Sequence, residues 1–341
     1  MRLYRMELYK ICSKKLFLFS ASSALVILLL YMNIFVINAD STIDGVRYTG
    51  YQAVRMDRRI TAEFEGVLTD QKVEQIVEKY GFPYGVSENY NRFLYKNYLN
   101  DFVMNAFSDG YFHTTEDYRV GTCTYPIAET ELGKAGIATK RPLVLEYSYG
   151  WQVFVNVLQV GCVLGMVLIL LGISPVFSEE SALNTQQILF ATKEGRAKDI
   201  GAKIAAGMTI VFAVYALIIV LDFAFVWAVF GLNGLDCFYA QVMEDLTQIR
   251  AWNNYHYSST DRMGTVISYL VVSEFWGITG TGALTLYFSA HCKSPFQSVM
   301  AAAISITAPL FLMLLGRTGN FNNILFLSSQ IFNMFILGIA F

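Results

Sequence analysis

The feature that most constrains this chain is a series of long apolar runs, the first of which covers residues 16–38 with no charged side chain in 16–37. About 20 apolar residues at 1.5 Å rise are needed to cross a hydrocarbon core, where every backbone polar group must be satisfied within the segment. Runs of this length therefore predict membrane-spanning helices. Composition agrees, because 55% of the 341 residues are hydrophobic and only 15% are charged, against roughly 25% charged in soluble domains. Disorder, a disulfide scaffold and an ordinary soluble enzyme are excluded on that basis.

Further apolar runs predict spans at 151–173, 204–230, 266–290 and 299–315, and a sixth span or re-entrant segment at 320–341. The fifth carries Pro309, and the sixth is interrupted by Ser328, Gln330 and Asn333. The first run is too long for the core of a signal peptide and reads as a retained anchor.

Basic residues beside a span favour the cytoplasm. Arg2, Arg5, Lys10, Lys14 and Lys15 precede the first span against one acid, Glu7, so residues 1–15 are expected inside. Alternation then puts 39–150 outside, 174–203 inside, 231–265 outside and 291–298 inside. Lys193, Arg196, Lys198 and Lys203 in 174–203, and Lys293 in 291–298, fit that assignment.

The expected fold is an α-helical polytopic integral membrane protein of about six transmembrane helices. A large, mainly helical extracellular domain, 39–150, separates the first two spans. Within it, 70–79 has an apolar stripe of Val73, Ile76 and Val77 ended by Gly81 and Pro83, and 88–107 repeats Tyr, Phe and Leu at helical spacing.

Several chemistries are missing from the sequence. No G-x-x-x-x-G-K-[ST] phosphate cradle occurs, and no zinc-binding H-E-x-x-H. A net charge of −2 offers no basic excess for nucleic acid. The five Cys are too far apart for a C-x-x-C site, and pairing of Cys123 with Cys237, both expected outside, is left open. The glycines at 277, 280 and 282 read as a helix-packing surface. Two acids, Asp222 and Glu274, fall within apolar spans, where an ionised carboxylate costs at least about 2.5 kcal/mol unless it finds a partner or water. They are candidates for a path or gate, weighed against a purely packing role.

The loop 174–203 is too apolar for a solvated connection yet too charged to enter the bilayer, which suggests an interfacial element able to dock on a partner or on headgroups. Glu180, Asn184-Thr185, Ile188-Leu189-Phe190, Thr192, Gly195-Arg196 and Lys203 stand in the order found after the second span of one family. On these residues the chain resembles the permease subunits of bacterial type-2 exporter ATP-binding cassette (ABC) transporters. The segments 7–15, 60–70 and 287–296 are similar to that family's elbow helix, outer-domain start and second inner turn.

The resemblance implies a permease in the bacterial plasma membrane whose energy comes from a separate ABC ATPase subunit, so that ATP is bound by the partner and this chain needs no cofactor. It further implies pairing with a second permease, as a homodimer or with a related chain. The coupling residues would be Glu180, Thr185, Ile188, Leu189, Phe190, Gly195 and Arg196, with Glu180 and Arg196 holding the ends of the element on the ATPase. The family departs from this chain at the C-terminus, where it carries a polar tail; 320–341 is then either a short tailless span or a clipped one. A membrane-anchored sensor using 39–150 as a ligand-binding ectodomain is the alternative. An integral membrane enzyme is disfavoured for want of a nucleophile, metal set or acid pair.

Overall fold

The computed structural model describes residues 2–86, 93–113, 116–185, 191, 197–242 and 261–317. The chain is mostly helical and carries two hydrophobic cores, one in a helix bundle and one in a smaller head domain. Among the described residues, three helices are long and apolar enough to cross a membrane: Lys15–Ile37, Tyr149–Ala182 and Ala197–Val229.

The chain opens with α1 (Arg2–Cys12), amphipathic and lying against the bundle, and turns at Lys14 into α2 (Lys15–Ile37). The head domain follows. A hairpin of β1 (Asp40–Ile43) and β2 (Val46–Thr49) leads to α3 (Tyr51–Glu63), then β3 (Gly66–Val67) and α4 (Asp70–Tyr80). Next come β4 (Gly85–Val86), β5 (Phe93–Leu94), α5 (Tyr98–Phe107), β6 (Tyr111–Phe112), β7 (Tyr118–Arg119), α6 (Glu131–Thr139) and β8 (Val144–Leu145). The ladders are two-stranded, and β3 pairs with β8, so the domain's entry and exit are stitched together.

The helix predicted at 70–79 is α4, started by the Thr69 side chain accepting from the Lys72 N–H and stopped at Gly81, whose φ of 64° suits a residue without Cβ. The helical run read over 88–107 is shorter: 93–94 is a strand, and the helix begins at Tyr98. The reason is local. Asn97 and Asn100 form a reciprocal capping box, with the Asn100 N–H to Asn97 Oδ1 at 3.0 Å and the Asn97 N–H to Asn100 Oδ1 at 2.8 Å, which fixes the first turn there.

The bundle resumes with α7 (Tyr149–Ile173), the most buried of its helices, packed on α2, and on α9 (Ala197–Val229) and α11 (Met263–His291). Gly161 lets it approach α9, since a Cβ there would lie 2.6 Å from Ile218 Cγ2. Gly282 of α11 similarly faces Val211, in keeping with the packing role read for the glycines at 277, 280 and 282. At Ser174-Pro175 the chain passes into α8 (Pro175–Ala182); Pro175 has no N–H to give the preceding turn, so α7 and α8 meet at a joint. Ser289 of α11 secures it, donating to the Ser174 carbonyl at 2.6 Å and accepting from the Phe177 N–H at 2.9 Å.

Helix α9 is described from Ala197, so the span expected at 204–230 is preceded in the same helix by Asp199 and Lys203, which pair one turn apart. A short α10 (Tyr239–Val242) precedes α11, and α12 (Pro295–Arg317) closes the described chain. The spans expected at 266–290 and 299–315 are thus helical, but α11 carries Ser268, Ser273, Glu274, Thr279, Thr281 and Thr285 and stands outside the three most apolar helices. The element expected at 320–341 lies outside the described residues.

Head and bundle are joined by hydrogen bonds. Tyr98 Oη lies 2.9 Å from Ser148 Oγ at the entry to α7, Arg58 of α3 donates to the Val229 carbonyl at 3.1 Å, and Asn233 Nδ2, beyond α9, donates to Glu65 Oε1 at 3.5 Å.

Candidate functional site

The end of the bundle bearing the N-terminus gathers three of the elements singled out in the sequence: α1, the segment after α7, and the entry to α9. Lys203 sits at their junction. Its side chain is only 2% exposed, and its ammonium donates to Glu180 Oε2 at 2.5 Å and Asp199 Oδ2 at 2.6 Å while lying 5.5 Å from the Phe177 ring centroid. The other Glu180 oxygen is 4.0 Å from Lys10 of α1, which pairs with Glu7 at 2.6 Å. Lys14 bonds Glu179, and Tyr4 Oη lies 3.0 Å from Thr209 Oγ1 of α9.

One buried cation thus joins α8 to α9, and α1 is held against both. Removing one member of such a buried set strands the others without compensation, a loss of about 3–5 kcal/mol for well-buried pairs. Glu180, expected to contact a partner, is paired with Lys203 within the chain while its side chain stays 18% exposed. Thr185 supports the same turn, its N–H donating to the Glu180 carbonyl at 3.1 Å beside Asn184 at φ 56°. Ile188, Leu189, Phe190, Gly195 and Arg196 lie outside the described residues. Asp199 was not singled out from the sequence, although an acid four residues before Lys203 at a helix start is a legible signal.

A cleft of about 540 Å³ opens beside this cluster, walled by Phe177, Glu180, Lys203, Leu286, Tyr287 and His291. It brings the segment after α7 next to the end of α11, a proximity that sequence separation conceals.

The two acids expected within spans, Asp222 and Glu274, sit in the bundle interior. Asp222 of α9 is 0% exposed and neither of its oxygens has a hydrogen-bond partner among the described residues. Glu274 of α11 is 1% exposed; its Oε2 is also without a partner, and Cys162 of α7 neighbours its carboxyl. Gln159 Nε2, one turn from Cys162, is unpaired as well. Unpaired polar groups thus lie on α7, α9 and α11 inside the bundle, where each buried group without a partner costs energy. The structure does not join Asp222 and Glu274 into a pair. Cys162 and Gln159 are the members that sequence reading passed over, since a lone thiol or amide in an apolar run carries no pattern.

Cys123 is exposed and Cys237 buried, both as free thiols, so the pairing left open is not made. Among the described residues, no group of His, Cys, Asp and Glu could hold a metal ion. Comparison with protein-family models, with curated proteins and with solved structures gives no match to this chain.

Proposed function

We propose that this chain is the permease subunit of an ATP-driven ABC export system, forming the membrane path and coupling to a separate ATPase chain. The observation that carries the reading is the Lys203 cluster, which fixes the start of the 180–196 segment to α9 and brings α1 alongside it. A lever that transmits force from a cytoplasmic motor needs such a rigid root, because a floppy attachment would dissipate the displacement. Absence of a phosphate cradle in the sequence fits a motor on another chain.

In this reading α1 is the elbow helix, the helices at 266–290 and 299–315 together with 320–341 complete six spans, and the N-terminus is cytoplasmic in a bacterial plasma membrane. Two permeases would face each other, as a homodimer or with a related chain. The unpaired carboxyls of Asp222 and Glu274 would then find donors, water or cargo along the path as the bundle opens.

Gentle solubilisation of native membranes through an N-terminal tag tests the proposal. An ATPase carrying a phosphate loop should co-purify with the intact chain and be lost on deletion of 180–196. Failure to recover one in several detergents would overturn it.

A second reading, a membrane-anchored receptor with 39–150 as its ligand-binding ectodomain, is favoured by a large cavity at the base of the head domain.

A further inference from the structure

The cavity between the head domain and the bundle measures about 550 Å³, within the range of small-molecule sites. Its walls come from parts of the chain far apart in sequence: the end of α2 at Asn38, α3 at Asp57, the start of α5 at Tyr98, β6 at Tyr111, the entry to α7 at Tyr147 and Gln152, and α10 at Gln241. Neither the coupling reading nor the buried acids Asp222 and Glu274 make use of it.

Asp57 gives the cavity its chemistry. Its Oδ1 accepts the Ser41 hydroxyl at 2.7 Å and the Tyr98 N–H, at the first turn of α5, at 3.2 Å. Its Oδ2 accepts no hydrogen bond from the described residues. The cations nearby are already engaged: Lys96 pairs with Asp101 at 2.9 Å and lies 4.6 Å from the Phe112 ring centroid, and Arg47 is bidentate on Asp40. The carboxylate is thus held rigidly at one oxygen and left open at the other.

Around it stand aromatic rings. Tyr98 and Tyr147 meet edge to face at 4.8 Å, with Tyr98 Oη fixed by Ser148; Tyr111 and Phe102 add further walls, and the Gln152 and Gln241 amides supply polar contacts. An oriented carboxylate within aromatic walls attracts a positive charge by Coulomb and cation–π terms together, and both strengthen where water is thin. An anion would meet Asp40, Asp57 and Asp101, with Lys96 already paired to Asp101 and His113 the other basic side chain among the described lining residues, and a neutral guest would leave the second Asp57 oxygen without a charged partner.

We infer that the cavity is a binding site for a small organic ammonium ion, its amine on Asp57 Oδ2 and its carbon skeleton among Tyr98, Tyr147 and Tyr111. Because Asn38 and Gln152 lie at the head-side ends of α2 and α7, an occupied site touches both the head domain and two helices of the bundle. The inference stands whether the chain is a permease or a receptor.

The test uses the full chain in nanodiscs of zwitterionic lipid, with phenethylammonium chloride as probe and 2-phenylethanol as its neutral counterpart, followed by calorimetry at pH 7.5. Saturable binding of the ammonium is expected, with affinity falling at least tenfold in Asp57→Asn and unchanged in Asp236→Asn. The latter removes the same charge from an exposed position outside the cavity. Equal affinity of Asp57→Asn and wild type, equal binding of the alcohol, or no saturation by roughly 10 mM would each overturn the assignment.

Discussion

Replacing Asp57 by Asn should stabilise the head domain. Burial raises the Asp57 carboxyl from its ordinary 3.8 to about 6, against the opposing pull of the Ser41 hydroxyl and the Tyr98 N–H. Each pH unit of such a difference corresponds to about 1.4 kcal/mol, so the charged form costs the native state up to about 3 kcal/mol at neutral pH. Asp57 is only partly shielded from solvent, and screening leaves about 1–3 kcal/mol. Asn keeps an oxygen for both donors and carries no charge. The sign follows from linkage: with the folded value above the unfolded one, the wild type is most stable below about pH 4 and loses that increment as pH rises through about 6. Asp57→Asn should lack this loss. Hydrogen exchange of α5 amides beyond its first turn, such as those of the buried Val103 and Met104, should slow by about 5- to 150-fold in the variant at pH 7.5, corrected for intrinsic rates, and match the wild type near pH 4. A gain of equal size at both pH values, or none at either, would refute the argument. If the variant is both more stable and unable to bind the ammonium probe, Asp57 is retained at the expense of stability, as binding sites often are.

Three further outcomes are expected. A membrane-impermeant maleimide should label the exposed Cys123 in intact cells and reach Cys12 and Cys292, at the opposite end of the bundle, only after permeabilisation; the reverse pattern would invert the orientation. Lys203→Met should lower stability in detergent by about 3 kcal/mol by stranding Glu180 and Asp199, and neutralising both acids in the same chain should recover most of it, measured as the thermal midpoint and monodisperse yield. Gly161→Ala should cost about 1–3 kcal/mol by driving a methyl into Ile218 Cγ2, with partial rescue by Ile218→Ala; additive losses instead would place the strain elsewhere.

Much of the architecture is legible in the sequence because hydrocarbon imposes a one-dimensional rule. A helix in lipid satisfies its own backbone and must be apolar along its length, so α2, α7 and α9 can be read from a sliding window without knowledge of any neighbour. Helix α4 is legible for a related reason, since Thr69, its apolar stripe and Gly81 act within a few residues. The same locality let a nearby signal mislead: the aromatic spacing over 88–107 looked helical throughout, and the Asn97–Asn100 capping box set the start at Tyr98.

What the tertiary structure alone decided is which distant polar groups meet. Glu180 was visible as an acid in a loop, but its capture by Lys203, beside Lys10, depends on α1, α8 and α9 converging at one end of the bundle. The exposure of Asp222 to no donor, and the place of Cys162 beside Glu274, depend on which faces α7, α9 and α11 turn to one another. Asp57 carried no motif, and its cavity is assembled from α2, α3, α5, α7 and α10. Hydrophobic burial is roughly additive along a chain and so can be counted from composition. Electrostatic and hydrogen-bonding chemistry acts over a few ångströms between groups whose separation in sequence is arbitrary, and only the folded chain brings them within that range.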